Sequence, residues 1–401
     1  MCKMMKQNLL VRNTSLLSGG VMAASGGWLA LNSSVLNGFG YALLAMAGAA
    51  MLLLAWRIGA RDRFTAWAVF FAWCLGAGTA LPSGWLAFFG DNWGWAGWVV
   101  WAAVAASPAL IFPARLTPLA LSGGAVISSL TPIGMMNPIV AAMAFFPGMS
   151  WAGLLLSIAL LTLPSITNKK LFALSLVAAL TVGAALGLRN GLQLPPETAW
   201  AVETREGAHP KLAVEWFARQ ARMTARVKDG VEQGARLVVT PEGAVDSWDA
   251  WSEFVWKDAA ALAEDHRAMI LVGVYRHEAG NRIWQDGLMD PVTGEFYGAA
   301  VPMPISMWKP WNEKEHYPFD FTQIARTIKT PVGEAAYLIC FEELLVWPLV
   351  ARMVTGEPEF LISASNQWFT NASTAEAQER SVKLQARMWG LPLLRSVNWP
   401  R

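Results

Sequence analysis

Apolar and polar positions are distributed very unevenly along this 401-residue chain. Up to Leu188 the apolar residues run in long blocks, and beyond it they alternate with polar residues in short runs. A helix needs about 20 apolar residues to cross the hydrocarbon core of a bilayer. The N-terminal blocks predict about seven spans, at 16–32, 35–56, 64–82, 93–112, 116–132, 139–163 and 171–188. Pro82, Pro118, Pro132 and Pro138 are expected at ends or kinks, where neighbouring helices can satisfy the freed backbone groups.

The second half reads differently. Residues 189–210 are polar, carry Pro195, Pro196 and Pro210, and predict a linker. From there the periodicity predicts helices at 211–230, 251–265, 348–355 and 374–388. Strands are predicted at 236–240, 268–275, 287–289, 298–303, 335–340, 360–365 and 391–397. Strands alternating with helices predict a layered α/β domain over 211–401, behind a helical membrane domain over 1–188.

Charge sharpens the division. Charged residues make up 15% of the chain, against about 25% for an average soluble protein. Between Leu16 and Leu188 the charged side chains are Arg57, Arg61, Asp62, Arg63, Asp91, Arg115, Lys169 and Lys170. With Lys3, Lys6 and Arg12, the basic residues fall on one side of such a bundle, which the positive-inside bias makes cytoplasmic. The last span would then deliver the C-terminal half to the other side, the periplasm of a bacterial inner membrane. Trp85, Trp93, Trp95, Trp98 and Trp101 suit an interfacial aromatic belt, with a binding role as the alternative. A net charge of +2 gives no sign of a nucleic-acid partner. Cys340 is the one cysteine after Leu188, so an exported domain would hold it as a free thiol, whether reactive or simply buried in a core.

The candidate chemistry rests on three residues. Cys340 ends an apolar run and is followed by Phe-Glu-Glu; Glu242 follows Thr240-Pro241 at the end of another; Lys314 lies in the polar segment between them. A thiol attacks a carbonyl as thiolate and needs a base, which Glu242 can supply. Lys314 can stabilise the oxyanion. Taken singly, each residue could equally be a turn carboxylate, a loop charge or a core thiol.

Together with their surroundings these residues resemble the nitrilase (carbon–nitrogen hydrolase) superfamily and, within it, the apolipoprotein N-acyltransferases. The matching pieces are Thr240-Pro-Glu242, Lys314-Glu-His316 with Pro318-Phe319, and Ile339-Cys340-Phe-Glu342. Ser365-Asn366-Gln-Trp368-Phe369 and the stretch from Ala386-Arg387 to Asn398 match as well. The resemblance implies an αββα sandwich, shortened at its C-terminal end, with a Glu242–Lys314–Cys340 triad supported by Glu342. The family follows Pro-Phe with Gly-Glu; here Asp320 is expected to stand in for that acid. The layout is further similar to conjugal-transfer proteins of rhizobial and agrobacterial plasmids. The resemblance implies a Cys thioester drawn from a membrane phospholipid and passed to an amine, with no cofactor and no metal. The acceptor would be a lipoprotein or a component of a conjugation apparatus. A catalytically silent scaffold and an amidase for a soluble substrate remain as alternatives.

Overall fold

The computed structural model describes residues 2–31, 39–60, 62–111, 117–130, 134–208, 210–277, 284–312, 316–370 and 372–400. They form two compact units, one of residues 1–191 with 370–390 and one of residues 192–369 with 391–401.

The first unit is helical. Its elements are α1 (Cys2–Leu31), α2 (Gly40–Gly59), α3 (Arg63–Ala77), α4 (Leu81–Phe89), α5 (Gly94–Ile111), α6 (Pro118–Ser129), α7 (Pro138–Met143), α8 (Ser150–Leu160) and α9 (Lys169–Arg189). α1 packs against α2 and α3 at very short range. A Cβ added at Gly48 would lie 2.4 Å from the Gly26 carbonyl oxygen, and one at Gly76 would lie 1.9 Å from that of Ala24. Small residues that let backbones approach are how apolar helices gain contact without a hydrophobic driving force.

α2 and α9 are each long and apolar enough to cross a membrane, and α3 with α4, bent by 50°, would make a third as one broken span. Among the described residues, the other expected spans fall on helices that are too short or not apolar enough to cross by themselves. The stretch read as one span over 139–163 is divided into α7 and α8. Pro147 and Gly148 lie at the break, Gly148 with a φ of 73°, and proline cannot supply the amide that a continuous helix needs there.

A further helix, α13 (Ala372–Trp389), belongs to this unit although it follows most of the α/β sequence. It packs against α7 and α8. Arg387 donates to the carbonyls of Gly187 and Asn190, and Trp389 meets Trp151 edge-on at 4.9 Å.

The second unit is built from two sheets. β1 (Ala199–Ala201), β2 (Leu237–Val239), β3 (Met269–His277), β4 (Trp284–Met289) and β5 (Phe296–Gly298) form one, in chain order. β1–β2–β3 run parallel and β3–β4–β5 antiparallel. β6 (Ile328–Thr330), β7 (Gly333–Ile339), β8 (Phe360–Asn366) and β9 (Leu393–Asn398) form the other, parallel from β7 to β9. β1 lies within the stretch read as linker.

Alternation along the strands sorts the core. Val238, Ile270, Val272 and Val274 face α10 (Ala213–Glu232) and α11 (Ala250–Asp265), meeting Met223, Val227, Val231, Trp256 and Ala259. Leu237, Val239, Leu271 and Leu288 point the other way and pack between the sheets against Tyr337, Ile339, Phe360 and Ile362. α12 (Trp347–Thr355) packs on β7. The layers described are thus helices, sheet, sheet and a short helix. The ends of β2, β7 and β8 are where the polar residues collect.

Candidate active site

The first carboxylate is aimed by the turn after β2. Thr240 Oγ1 accepts the Gly273 N–H at 2.9 Å, which ties the turn to β3. A Cβ at Gly273 would lie 1.9 Å from the Pro241 carbonyl oxygen, so only glycine lets β3 pass here. Glu242 is left 3% exposed, with Gly243 beyond it in the left-handed region at a φ of 59°.

Cys340 stands at the point where β7 gives way to a 3-10 turn, Cys340–Leu344. Its φ is 46°, left-handed for a residue with a Cβ, a strain of about 1–2 kcal/mol. The acids that follow hold the turn in place. Glu342 accepts the N–H groups of Ala300 at 2.9 Å and Ile339 at 3.2 Å, and pairs with Arg352 at 3.3 Å. Arg352 is fully buried over the Tyr337 ring, 4.1 Å from its centre. Glu343 accepts the hydroxyls of Ser363 and Ser365 and pairs with Arg395 at 3.1 Å.

The thiol and the carboxylate meet. Glu242 is hydrogen-bonded to Cys340 and to the carboxyl of Asp286, and accepts the Asn366 N–H at 2.8 Å from the end of β8. Asp286, on β4 opposite Tyr275, is 5% exposed. Burial pushes the Glu242 carboxyl up, and the bonds from Asp286, Cys340 and Asn366 pull it back. Burial and the neighbouring Glu242 push Asp286 well above the usual carboxylate range. Burial and the Glu242 charge likewise raise the Cys340 thiol well above its ordinary value. A thiol raised in this way becomes a nucleophile by handing its proton to an adjacent base.

Of the residues singled out in the sequence, Glu242 and Cys340 are brought into contact, and Glu342 lies beneath the cysteine turn. Lys314 lies outside the described residues. The His316 carbonyl accepts the Trp284 N–H at 3.0 Å, two residues before Asp286. The Asp320 carboxylate accepts the amide and hydroxyl of its neighbour Thr322. Asp320 and Asp286 line one small cavity of about 20 Å³, with Trp284, Pro302 and Tyr317 among its walls. The acid in contact with Glu242 is Asp286, which sequence reasoning missed. Its one signal was an acid at the head of an apolar run, Asp286-Gly-Leu-Met.

A two-sheet α/β unit with a buried cysteine–glutamate pair, in one chain with apolar helices, is the class of protein these features define. No protein-family model matches the chain. Over most of its length it resembles a probable conjugal transfer protein TraB of Sinorhizobium fredii, 25% identical over 397 residues, which are 90% of this chain and 94% of the relative. Conjugal transfer protein TraB of Agrobacterium fabrum is 26% identical over 371 residues, 84% of each chain. Among solved structures, a mutant of a Nesterenkonia amidase from the nitrilase superfamily is similar at 15% identity and a TM-score of 0.35, over 51% of this chain and 79% of that one.

Proposed function

We propose that the chain is a membrane-bound acyltransferase of the carbon–nitrogen hydrolase type, acting in plasmid conjugal transfer. The observation that carries this reading is the contact between Glu242 and Cys340, a carboxylate and a thiol enclosed together at the ends of β2 and β7. The apolar helices ahead of the α/β unit favour a lipid acyl donor over a soluble amide, and the two relatives named for conjugal transfer supply the biological setting.

The chemistry balances on these groups. Glu242 takes the thiol proton, and the Cys340 sulfur attacks the ester carbonyl of a phospholipid. The tetrahedral intermediate collapses, the C–O bond breaks, and Glu242 returns the proton to the departing alcohol, leaving a thioester. An amine of a lipoprotein or conjugation protein then attacks the thioester, Glu242 takes the amine proton, and the amide leaves as the thiol reforms. Lys314 is assigned the oxyanion in both halves. Glu342 and Glu343 hold the backbone of the cysteine turn in its left-handed conformation. The α/β unit lies on the periplasmic side of the inner membrane.

The test is intact and peptide mass spectrometry of the full chain reconstituted with phospholipid. A hydroxylamine-labile acyl group on Cys340, absent from Cys340→Ser and lost from Lys314→Met, supports the reading. An unmodified Cys340 in a protein that sustains conjugation would overturn it in favour of a scaffold.

A further inference from the structure

We propose that Asp286 is the second acid of the site: a neutral carboxyl that donates its proton in a hydrogen bond to Glu242 and so keeps Glu242 the ionised base. The inference rests on the acyl-transfer reading above and adds to it a positioning residue.

Three observations carry it. Glu242 and Asp286 are hydrogen-bonded to one another and both nearly sealed from water. Two acids in such contact share at least one proton, because neither solvent nor distance screens their charges. The partners then decide which acid keeps it. Glu242 receives the Asn366 amide and the Cys340 thiol, groups that donate and so favour its charged form. Asp286 receives the Gly287 amide and faces the charges of Glu242 and Glu342. Among the described residues, no group hydrogen-bonds its buried Oδ1. An orphaned oxygen is far cheaper as the carbonyl of a neutral acid than as half of a carboxylate.

Among the described residues, the other titratable groups facing the pair are two tyrosines and two glutamates. Tyr275 on β3 and Tyr317 stand beside it, and burial and the surrounding acids raise Tyr275 so that it stays neutral. Glu342 and Glu343, from the cysteine turn, are paired with Arg352 and Arg395.

The role follows. A donor fixed on Glu242 stabilises its carboxylate without adding charge, and holds the oxygen that faces the thiol in one orientation. Loss of that donor makes Glu242 harder to ionise, so the proton of Cys340 is accepted only at higher pH.

The experiment follows alkylation of Cys340 by iodoacetamide against pH, by peptide mass, in the full chain in detergent micelles; it needs no acyl donor. The acid limb of the rate in Asp286→Ala is expected to move to higher pH by about one unit or more, a tenfold loss of rate at the wild-type midpoint. Asp286→Asn restores a donor of the same shape and should bring the limb back toward the wild-type position. It also carries the test should the alanine variant fail to fold. A limb that moves to lower pH in Asp286→Asn means Asp286 is ionised, and a limb unmoved in both variants means its role is structural; either overturns the proposal. Failure of the acyl-transfer reading appears separately, as a Cys340 that alkylates with this pH dependence and acquires no acyl group from lipid.

Discussion

The Arg352–Glu342 pair offers the most direct test of how the cysteine turn is held. Both side chains are fully buried, joined by one contact of 3.3 Å. Removing one partner of a buried pair leaves an uncompensated charge and costs about 3–5 kcal/mol. Here the contact is single and long, and Glu342 keeps the Ala300 and Ile339 amides, so Arg352→Met should fall at the lower end, about 3 kcal/mol. At about 1.4 kcal/mol per decade that is a hundredfold rise in local opening. Glu342→Gln combined with Arg352→Met removes both charges and should recover at least about 1 kcal/mol of the summed single losses, since the sites are in contact. Hydrogen exchange of peptides spanning β7, measured on the full chain in micelles, reads the opening directly. An increase below about threefold in Arg352→Met would mean the ion pair contributes little. Strict additivity in the double variant would mean the two residues act independently, and the account of the turn would fail with it.

Asp286 also predicts a pH dependence of stability. Its folded-state carboxyl is held well above the usual 3.8, so its contribution is fully present below that value and is lost as pH rises toward the folded-state ionisation. The unfolding free energy of Asp286→Asn relative to wild type, from denaturant titrations, should therefore climb as pH rises above about 4, by up to about 1.4 kcal/mol per unit; a difference that stays flat above that pH would contradict a raised Asp286. For topology, alkaline phosphatase fused after Asn190 should be active as an exported enzyme, and activity only of a cytoplasmic reporter there would place the α/β unit indoors.

Much of the α/β unit was legible because its strands carry their own pattern. Leu237-Val-Val and the run from Ala335 to Ile339 announce buried strands, and each leads to its polar residue within a few positions, so Glu242 and Cys340 could be singled out before any contact was known. What was missed had physical reasons. β1 and β6 are three residues each, too short for a period to show. β4 was read as starting at 287, one residue past Asp286, so the acid that touches Glu242 was assigned to a loop. Asp320, singled out on motif position, lines the small cavity beside Asp286, and its carboxylate also accepts the amide and hydroxyl of Thr322. The helix of α13 was evident from its amphipathic spacing, but spacing does not say which unit a helix joins, and its packing on α7 and α8 depends on residues more than two hundred positions away.

The arrangement of charge explains why so many acids gather at one thiol. Glu242, Asp286, Glu342 and Glu343 are all buried within the same unit, and four like charges there would not be tolerated unscreened. Each is answered differently. Glu342 meets Arg352 and the Ala300 and Ile339 amides, and Glu343 meets Arg395 and the hydroxyls of Ser363 and Ser365. Asp286, in this reading, is answered by its own proton, and that proton is what allows Glu242 to remain charged against an enclosed thiol. On this account the base is weak enough to give its proton back to a leaving group and strong enough to take one from sulfur, because three donors of different kinds meet on a single carboxylate.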